Sequence, residues 1–491
     1  MAKSAELNHH EQSSAETEKG EGPFDVMIED QALHIDSETD TTNAWNKVRL
    51  RVDLRVTLAL AVMYVANQLD RGNISYAYIS GMEEELDYKD NRYTLAISIY
   101  FPFYILATPI ATVMVRKIGP RLFLPAITFS FGLIVIGIGL CHSWKDQVGL
   151  RIILGLFEGC YFPSATFLIS MYYLRQEVAT RMAIFYILGL VIGGFGGLIA
   201  YGLQQMDGTG GKSGWRWIFI WEGVFTIIIA IIGYLSLVDF PEDAHRNFKF
   251  LQPSELNTVM DRVRRDRADA DITPFDIKSY LAHGLDWKLW AFSLNFFSTA
   301  LITYSVQYFL PIILKTMLGF SNTYALCLTA PVYACAGLIS ISLAWLSDRL
   351  RLRGPILIFN GLLQIVGVAL VGYAHQPYVR YFGTYLILAG TAANSPLCVS
   401  YQANNVVGQW KRAFSSASIV GFGTIGGVVA PFGFRAQDAP EYRPGMAMCF
   451  VGVSIGIVSV CVTSVYMYCQ NRKQAQGRVV LENTPGFRYT L

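Results

Sequence analysis

One stretch of the sequence decides the fold: Arg151-Ile152-Ile153-Leu154-Gly155-Leu156-Phe157-Glu158-Gly159-Cys160-Tyr161-Phe162-Pro163. It places an arginine and a glutamate in an otherwise apolar segment. The two lie about two helical turns apart, roughly 10 Å along the axis, so both side chains project from one face of a helix. A charge at the centre of a lipid-spanning helix costs about 2.5 to 3.5 kcal/mol, so this face is predicted to line a polar pathway. A structural ion pair between two helices is the alternative, although burial alone does not favour such a pair.

The composition around this stretch is that of an all-α membrane protein. Of 491 residues, 53% are hydrophobic and 15% are charged, whereas soluble domains carry about 25% charge. Apolar runs of about 20 residues predict twelve transmembrane helices, near 54–80, 92–115, 121–142, 147–173, 180–203, 216–238, 289–314, 323–347, 355–374, 379–405, 413–434 and 446–469.

Several function classes are disfavoured. The net charge of +2 gives no reason to expect a nucleic-acid partner. The eight cysteines have no paired short spacing, so neither a metal site nor a disulfide framework is indicated, and no cofactor is expected. The sequence also offers no nucleophile and base pair or phosphate-cradling loop, which argues against an enzyme.

Charge along the chain predicts topology and domains. Basic residues precede the first run and follow the second, fourth, eighth, tenth and twelfth runs, so both termini are predicted to be cytoplasmic. Residues 1–43 hold eleven Asp and Glu with almost no aromatic residues and are predicted to be a disordered acidic tail. We expect a six-helix half at 44–238, a cytosolic linker at 239–287 with a helix opening at Ser254-Glu255-Leu256-Asn257, a second half at 288–470 and a cytosolic tail at 471–491.

Two six-helix halves joined by a polar linker resemble the major facilitator superfamily, whose substrate site lies between the halves. Several motifs narrow this resemblance. They are Leu69-Asp70-Arg71-Gly72-Asn73-Ile74-Ser75-Tyr76-Ala77, the Arg151 to Pro163 stretch, Gly214-Trp215-Arg216-Trp217-Ile218-Phe219-Ile220-Trp221-Glu222-Gly223, Ala403-Asn404-Asn405, Lys411-Arg412-Ala413, Gly421-Phe422-Gly423-Thr424-Ile425-Gly426-Gly427 and Gln437-Asp438-Ala439-Pro440. In these motifs the chain is similar to the anion:cation symporters of the superfamily, above all the fungal allantoate, nicotinate and organic-anion permeases.

Four ionisable groups are expected to carry the mechanism, all in the first half. The resemblance implies that Asp70 and Glu158 are proton-coupling acids and that Arg71 and Arg151 bind substrate or gate the pathway. We favour Arg71 as the carboxylate clamp, because a guanidinium can grip a carboxylate bidentately. Arg151 is equally well explained as the internal partner of Glu158. Asn73 is assigned to substrate binding with this motif.

The second half lacks a comparable charge cluster and offers uncharged groups instead. We assign Tyr304, Gln307, Asn404 and Asn405 to substrate binding, while Asn295, Tyr308 and Asn394 could also orient a small polar body. For Asn295 and the tyrosines, hydrogen bonds between helices are the more economical interpretation. Glu222 is expected to pair structurally with Arg216 or a loop rather than to transfer protons.

Glycines and one loop signature suggest how the halves move. Gly193 and Gly197 on the fifth helix correspond to Gly423 and Gly427 on the eleventh, and small residues let backbones approach and slide; tight static packing is the alternative. After the eighth helix, Ser347-Asp348-Arg349 retains the acid and base of the superfamily's loop motif. The loop between the second and third helices keeps the basic residues Arg116, Lys117 and Arg121 but lacks the aspartate.

The sequence therefore predicts a secondary transporter that takes up a small organic anion together with protons by alternating access. We expect it to be a monomer in the lipid bilayer of the plasma membrane. An exporter of a carboxylated metabolite on the same fold is the main alternative. A nutrient sensor that binds without transporting is a third, disfavoured because both carboxylates are retained and no long signalling domain is present.

Overall fold

A computed structural model describes residues 45–89, 91–244, 250–268, 277–350, 352–407, 409–483 and 486–491. The predicted acidic tail at 1–43 lies outside these residues. In the described part of the chain twelve long helices follow one another: α1 Ala59–Ala77, α2 Arg92–Ile118, α3 Pro120–Leu140, α4 Trp144–Tyr172, α5 Thr180–Gln204, α6 Gly214–Ser236, α7 Trp287–Thr316, α8 Asn322–Ser347, α9 Gly354–Tyr373, α10 Pro377–Asn405, α11 Phe414–Gly433 and α12 Arg443–Ala475.

Ten of these described helices, all except α1 and α10, are long and apolar enough to cross a membrane. Their positions follow the predicted apolar runs closely. α1 and α10 also form where spans were predicted. A π-helical turn at Asp53–Leu58 leads into α1, and the helix ends in a turn at Tyr78–Met82, where Gly81 has a φ of 106°. Polar side chains such as Asp70 and Arg71 in α1, and Asn394 in α10, lower the hydropathy of these two helices.

The helices pack in two halves that share one pattern. In the first half α1 packs against α5, α2 against α4, and α3 against α6. In the second half the pairs are α7 with α11, α8 with α10, and α9 with α12. Each pair therefore has a counterpart six helices later in the chain, as expected of a structural repeat.

Among the described residues, the most extensive contacts between the halves are those of α1 with α7, α5 with α8, and α2 with α11. The Tyr93 hydroxyl on α2 donates a hydrogen bond to the Tyr308 carbonyl on α7, at 3.3 Å. The Lys315 ammonium at the end of α7 donates to the Ile79 carbonyl in the turn after α1, at 3.1 Å. These contacts close the structure at the end where the connection between α1 and α2 lies.

A surface helix, Pro253–Ala268, occupies the connection between the halves. Its start is capped by Glu255, whose carboxylate accepts a hydrogen bond from the Gln252 amide at 2.8 Å. Buried Leu256, Val259 and Val263 recur at helical spacing and give the helix one apolar face, which packs on the second part of α4.

The chain beyond α12 folds back onto the second half. The Glu482 carboxylate accepts hydrogen bonds from Lys288 at the start of α7, from Lys411 near the start of α11 at 2.6 Å, and from the Tyr489 hydroxyl at 2.7 Å. Burial alone would raise the pKa of Glu482, but these three donors outweigh it and lower that pKa to about 2. One carboxylate thus ties together two helices that are far apart in sequence.

Candidate functional site

Glycines in α4 set the position of the charged residues. A Cβ at Gly155 would lie 2.4 Å from the Tyr100 carbonyl oxygen, and one at Gly159 would lie 2.5 Å from the Tyr104 carbonyl oxygen. Only glycine allows α4 to approach the α2 backbone this closely. On the next turn, the Tyr161 hydroxyl donates a hydrogen bond to the Leu60 carbonyl on α1, at 2.7 Å. α4 is therefore held against both α1 and α2.

This packing brings Glu158 to Arg71. The Arg71 Nε lies 3.7 Å from the Glu158 Oε2, and the two side chains are 11% and 0% exposed. The Tyr100 hydroxyl donates a hydrogen bond to the same carboxylate oxygen. The Arg71 guanidinium also lies over the Tyr104 ring, 5.4 Å from its centroid. Glu158 thus has its ion-pair partner on α1 and not, as one interpretation of the sequence held, in Arg151.

Asp70 and Asn73 lie on the same turn of α1 and are both buried. The Asp70 carboxyl lies within hydrogen-bonding reach of Glu158, a bond that requires a proton on one of the two acids, and it has no other hydrogen-bond partner. Neither polar atom of the Asn73 amide has a partner. Asp70 is close enough to Glu158 for the two carboxyls to interact electrostatically. Buried polar groups are normally satisfied, so this cluster has the unmet hydrogen bonds expected of a site that receives ligands, protons or water.

Arg151 is buried apart from this pair. Its side chain is 2% exposed, and its Nε and Nη2 have no hydrogen-bond partner. Its electrostatic neighbours are the phenols of Tyr88, Tyr93 and Tyr308. Because Tyr308 belongs to α7, Arg151 faces the second half of the protein with unused donors.

A central cavity lies between the halves beside this cluster. Its volume, taken as the space open to the centre of a water molecule, is about 40 Å³, and the wider concave region around it includes open solvent. Gly72, next to Arg71, contributes to its wall, and so do the predicted Gln307 and Gly193. The remaining lining residues come from α1, α5, α7, α8 and α10: Gln68, Tyr76, Tyr186, Gly189, Thr303, Tyr333, Leu388, Thr391, Ala392 and Ser395.

Tyr304, predicted to bind substrate, lies beside the charge cluster and is not among the residues that line the cavity. Its ring is 4.9 Å from that of Phe101, and its phenol interacts electrostatically with Arg71. Sequence reasoning did not identify the polar lining residues Gln68, Thr303, Thr391 and Ser395. Single Ser and Thr residues in apolar helices commonly satisfy their own helix carbonyls, so no sequence signal separates the cavity-lining ones from the rest.

The predicted Asn404 and Asn405 are not brought to the cavity. They are the last two residues of α10, about 14 to 15 Å beyond Ser395 along the helix. Asn404 is exposed. The buried Asn405 side chain instead exchanges two hydrogen bonds with the Thr490 backbone, at 2.8 and 3.0 Å. This amide therefore holds the chain after α12, and we leave both residues out of the proposed binding site.

The expected pairing of Glu222 with Arg216 is wrong. Arg216 pairs with Glu85, with 2.6 Å between Nη2 and Oε1, and also donates to the Gly139 and Cys141 carbonyls. Both carboxyl oxygens of Glu222 are buried without a hydrogen-bond partner. The loop residue Glu85 competes successfully because it reaches Arg216 from the turn after α1.

Two other uncharged candidates of the second half, Asn295 and Asn394, form hydrogen bonds with neighbouring helices. Asn295 donates to the Cys398 Sγ at 3.3 Å, and Asn360 donates to the Asn394 side-chain oxygen at 2.9 Å. These are the helix-to-helix hydrogen bonds that the sequence favoured for Asn295.

Glycines lie where the halves touch. A Cβ at Gly197 on α5 would be 2.2 Å from the Thr329 Oγ1 and 2.4 Å from the Leu326 carbonyl oxygen on α8. A Cβ at Gly427 on α11 would be 2.3 Å from the Phe101 ring on α2. Gly423 instead faces Phe296 of α7 within the second half.

The loop motif after α8 is described only in part. The Arg349 guanidinium lies over the Trp345 ring, 5.2 Å from its centroid. The Asp348 side chain lies outside the described residues, so its predicted gating role stays a prediction.

Comparison with known proteins places the chain in a family. The model of the Major Facilitator Superfamily matches residues 60–431. The chain belongs to this superfamily. An uncharacterized transporter of Schizosaccharomyces pombe is 31% identical over 467 residues, covering 91% of this chain and 90% of the relative. The high-affinity nicotinic acid transporter of Saccharomyces cerevisiae is 26% identical over 436 residues, covering 89% and 80%.

Among solved structures, a D-xylose-proton symporter superposes with a TM-score of 0.65 at 14% identity, covering 83% of this chain and 96% of that one. At that identity the likeness concerns the fold alone. The chain is thus a multi-pass membrane transporter of the superfamily, as its sequence predicted.

Proposed function

We propose that this protein takes up a small organic anion together with protons by alternating access, as a monomer in the plasma membrane with twelve spans and both termini in the cytosol. The observation that carries the proposal is the buried Arg71–Glu158 ion pair, which adjoins the buried Asp70 carboxyl and the central cavity.

Arg71 suits the capture of a carboxylate. Its Nε is 3.7 Å from Glu158, which is an ion pair but too long for a hydrogen bond, and this nitrogen has no other hydrogen-bond partner. Protonation of Glu158 would remove its attraction for Arg71 and leave the guanidinium free to bind a substrate carboxylate bidentately. Proton binding and anion binding thereby become linked at one residue.

The charge balance of the four ionisable side chains predicted from the sequence supports the same coupling. Asp70 and Glu158 offset Arg71 and Arg151, so the four side chains sum to zero when all are ionised. An entering monoanion would leave this buried region with one net negative charge, and a single proton restores neutrality. Uncompensated charge is costly in a membrane interior, so anion and proton are expected to enter together.

The second half would recognise the rest of the substrate. Gln307, Thr303 and Ser395 offer amide and hydroxyl groups to the cavity, and the Tyr333 ring offers a flat apolar face. Tyr186, on α5 of the first half, adds a second ring to the wall. A small monocarboxylate with a ring or amide group matches this lining. The similarity to a nicotinic acid transporter supports this class, since nicotinic acid is an aromatic monocarboxylic acid.

The test is uptake of radiolabelled nicotinate, pantothenate and allantoate by cells expressing the chain, with and without a proton uncoupler. Accumulation that collapses with the uncoupler is the expected result. Accumulation of any of the three that ignores both the uncoupler and external pH would contradict proton coupling. Failure to take up all three, with the protein confirmed at the cell surface, would contradict import of this substrate class.

A further inference from the structure

Glu222 is a buried acid that the mechanism above does not use. It lies on α6, is 4% exposed, and has no hydrogen-bond partner for either carboxyl oxygen. Arg216, six residues earlier on α6, pairs with Glu85 and donates hydrogen bonds to two carbonyls instead. An ionised carboxylate without partners costs considerable free energy in a membrane interior. The presence of a glutamate at this position therefore needs an explanation.

The ionisable groups that face Glu222 come from α1. α1 packs against α6, and both Asp70 and Tyr76 interact electrostatically with Glu222. Asp70 interacts in the same way with Glu158. The three carboxyls thus form a row in which Asp70 is the middle member, and no cation is placed beside Glu222 by either α1 contact.

The other elements packed on α6 do not supply a partner either. α3 contributes one ionisable residue, Arg121 at its start, whose guanidinium stacks 5.5 Å from the centre of the Tyr234 ring near the far end of α6. The last part of α5 contributes Tyr201. The turn after α1 contributes Tyr78, which donates to Glu83 at 2.7 Å. Among these described elements, Asp70 is therefore the only carboxyl or basic group that interacts with Glu222, and the Tyr76 phenol is its other ionisable neighbour.

We propose that Glu222 is a third proton-carrying side chain of the transport cycle, exchanging a proton with Asp70. In this step an O–H bond of the Glu222 carboxyl breaks and one forms on the Asp70 carboxylate, so the pair keeps one proton and one negative charge throughout. The proposal rests on the proposed proton-coupled function and extends it: the Arg71–Glu158 pair binds the anion, and Glu222 stores a proton behind it.

Tyr76 links the three carboxyls Glu158, Asp70 and Glu222 to the cavity. Its side chain lines the cavity and interacts with Glu222. Its hydroxyl also contacts Thr329 on α8 and the Gly197 backbone on α5, at the place where the halves meet. Relative movement of α5 and α8 would therefore change the surroundings of the group next to the stored proton.

The decisive variant is Glu222→Gln, because glutamine mimics a protonated glutamate and cannot release a proton. If Glu222 were permanently neutral and structural, this substitution would be silent. The infrared carbonyl band of protonated carboxyl groups is recorded on the purified protein over a range of pH. We expect wild type to have a band that disappears as the pH rises and that is missing in Glu222→Gln, and Asp70→Asn to shift the pH at which it disappears.

Two results would overturn the proposal. If the band missing in Glu222→Gln is one that does not change with pH in wild type, Glu222 is permanently neutral. If wild type and Glu222→Gln have the same bands, Glu222 is permanently ionised. Glu84→Gln, an exposed acid in the loop, is the matched control. Should Glu222→Gln not fold, Glu222→Asp is measured in its place, and the titrating band must then move in frequency.

Transport measurements distinguish the proposed role of Glu222 from the proposed proton-coupled function on which it rests. In proteoliposomes with an imposed pH gradient, proton-driven nicotinate accumulation by wild type and its loss in Glu222→Gln support both. Proton-driven accumulation retained in full by Glu222→Gln would overturn the role of Glu222 alone. Absence of gradient dependence in wild type would overturn the proposed function, while the infrared result would still decide whether Glu222 exchanges a proton.

Discussion

Replacing Glu158 with glutamine tests the proposed coupling most directly. The substitution keeps the shape of the side chain and an oxygen for the Tyr100 hydroxyl, but it removes the charge opposite Arg71 and the ability to bind and release a proton. We expect Glu158→Gln to abolish accumulation against a gradient while sparing exchange of internal for external substrate, because exchange requires no net proton movement.

The size of the effect follows from the driving force. One pH unit is worth about 1.4 kcal/mol per proton, so an inward gradient of about two units supports roughly hundredfold accumulation of a monoanion that enters with one proton. Glu158→Gln should reduce this to about onefold. Breaking a buried ion pair costs about 3 to 5 kcal/mol, and since Arg71 keeps its contact with the Tyr104 ring, we expect the lower end of that range.

The assay uses proteoliposomes loaded at one pH and diluted into another, with labelled nicotinate followed for accumulation and, separately, for counterflow. Glu84→Gln is the control for the loss of an exposed acid. Accumulation by Glu158→Gln that follows the imposed gradient as in wild type would refute the reasoning. Loss of counterflow together with accumulation would instead assign Glu158 to substrate binding.

Three further predictions concern other parts of the molecule. Gly197→Val should reduce uptake by tenfold or more, because overpacking costs about 1 to 3 kcal/mol and the Leu326 carbonyl oxygen, 2.4 Å from the new Cβ, cannot easily move. Arg151→Lys should weaken apparent nicotinate affinity by about 10- to 100-fold while sparing surface expression, since lysine lacks the planar pair of donors. Glu482→Gln should lower the thermal unfolding temperature at neutral pH, because a pKa lowered to about 2 stabilises the fold by about 2 kcal/mol once solvent screening is allowed for.

Each of these predictions has a result that would contradict it, and the first also has a control variant. Gly202→Val lies on the same helix with nothing within 4 Å of a new Cβ, and equal loss in both glycine variants would contradict a role for the close contact between Gly197 and α8. Unchanged affinity in Arg151→Lys would remove that residue from the binding site. A group with a lowered pKa stabilises the fold above its unfolded value and loses that effect as the pH falls toward 2. The stability difference for Glu482→Gln must therefore shrink below about pH 4.5; a constant difference would contradict the ion-pair explanation.

The helices and the charged residues were predictable from sequence for a simple reason. An apolar run of about 20 residues has few alternatives to a span, and a charge within it is conspicuous. Asp70, Arg71, Arg151 and Glu158 were identified in this way, and the structure buries all four in the first half, with Arg71 the least covered.

The pairing among charges was harder to predict, since it depends on how helices approach one another. Arg151 and Glu158 share a face, but their separation of about 10 Å along the axis already exceeds an ion-pair distance. Arg216 and Glu222 are six residues apart, which at about 100° per residue turns them roughly 120° away from each other on the helix. Helix geometry could therefore have excluded the Glu222–Arg216 pair, whereas the actual partner, Glu85, comes from a loop that no local rule connects to α6.

The unequal distribution of charge between the halves has a mechanistic consequence. The ionised groups lie on α1 and α4, while the cavity wall from α7, α8 and α10 offers hydroxyl, amide and aromatic groups. A carboxylate held by Arg71 would therefore leave only uncharged parts of the substrate to contact the second half. Such contacts can be made and broken cheaply as the halves move, because no charge has to be stripped of a partner in either state. The first half would hold the anion and its protons throughout the cycle, and the second half would select the substrate and open the way to one side or the other.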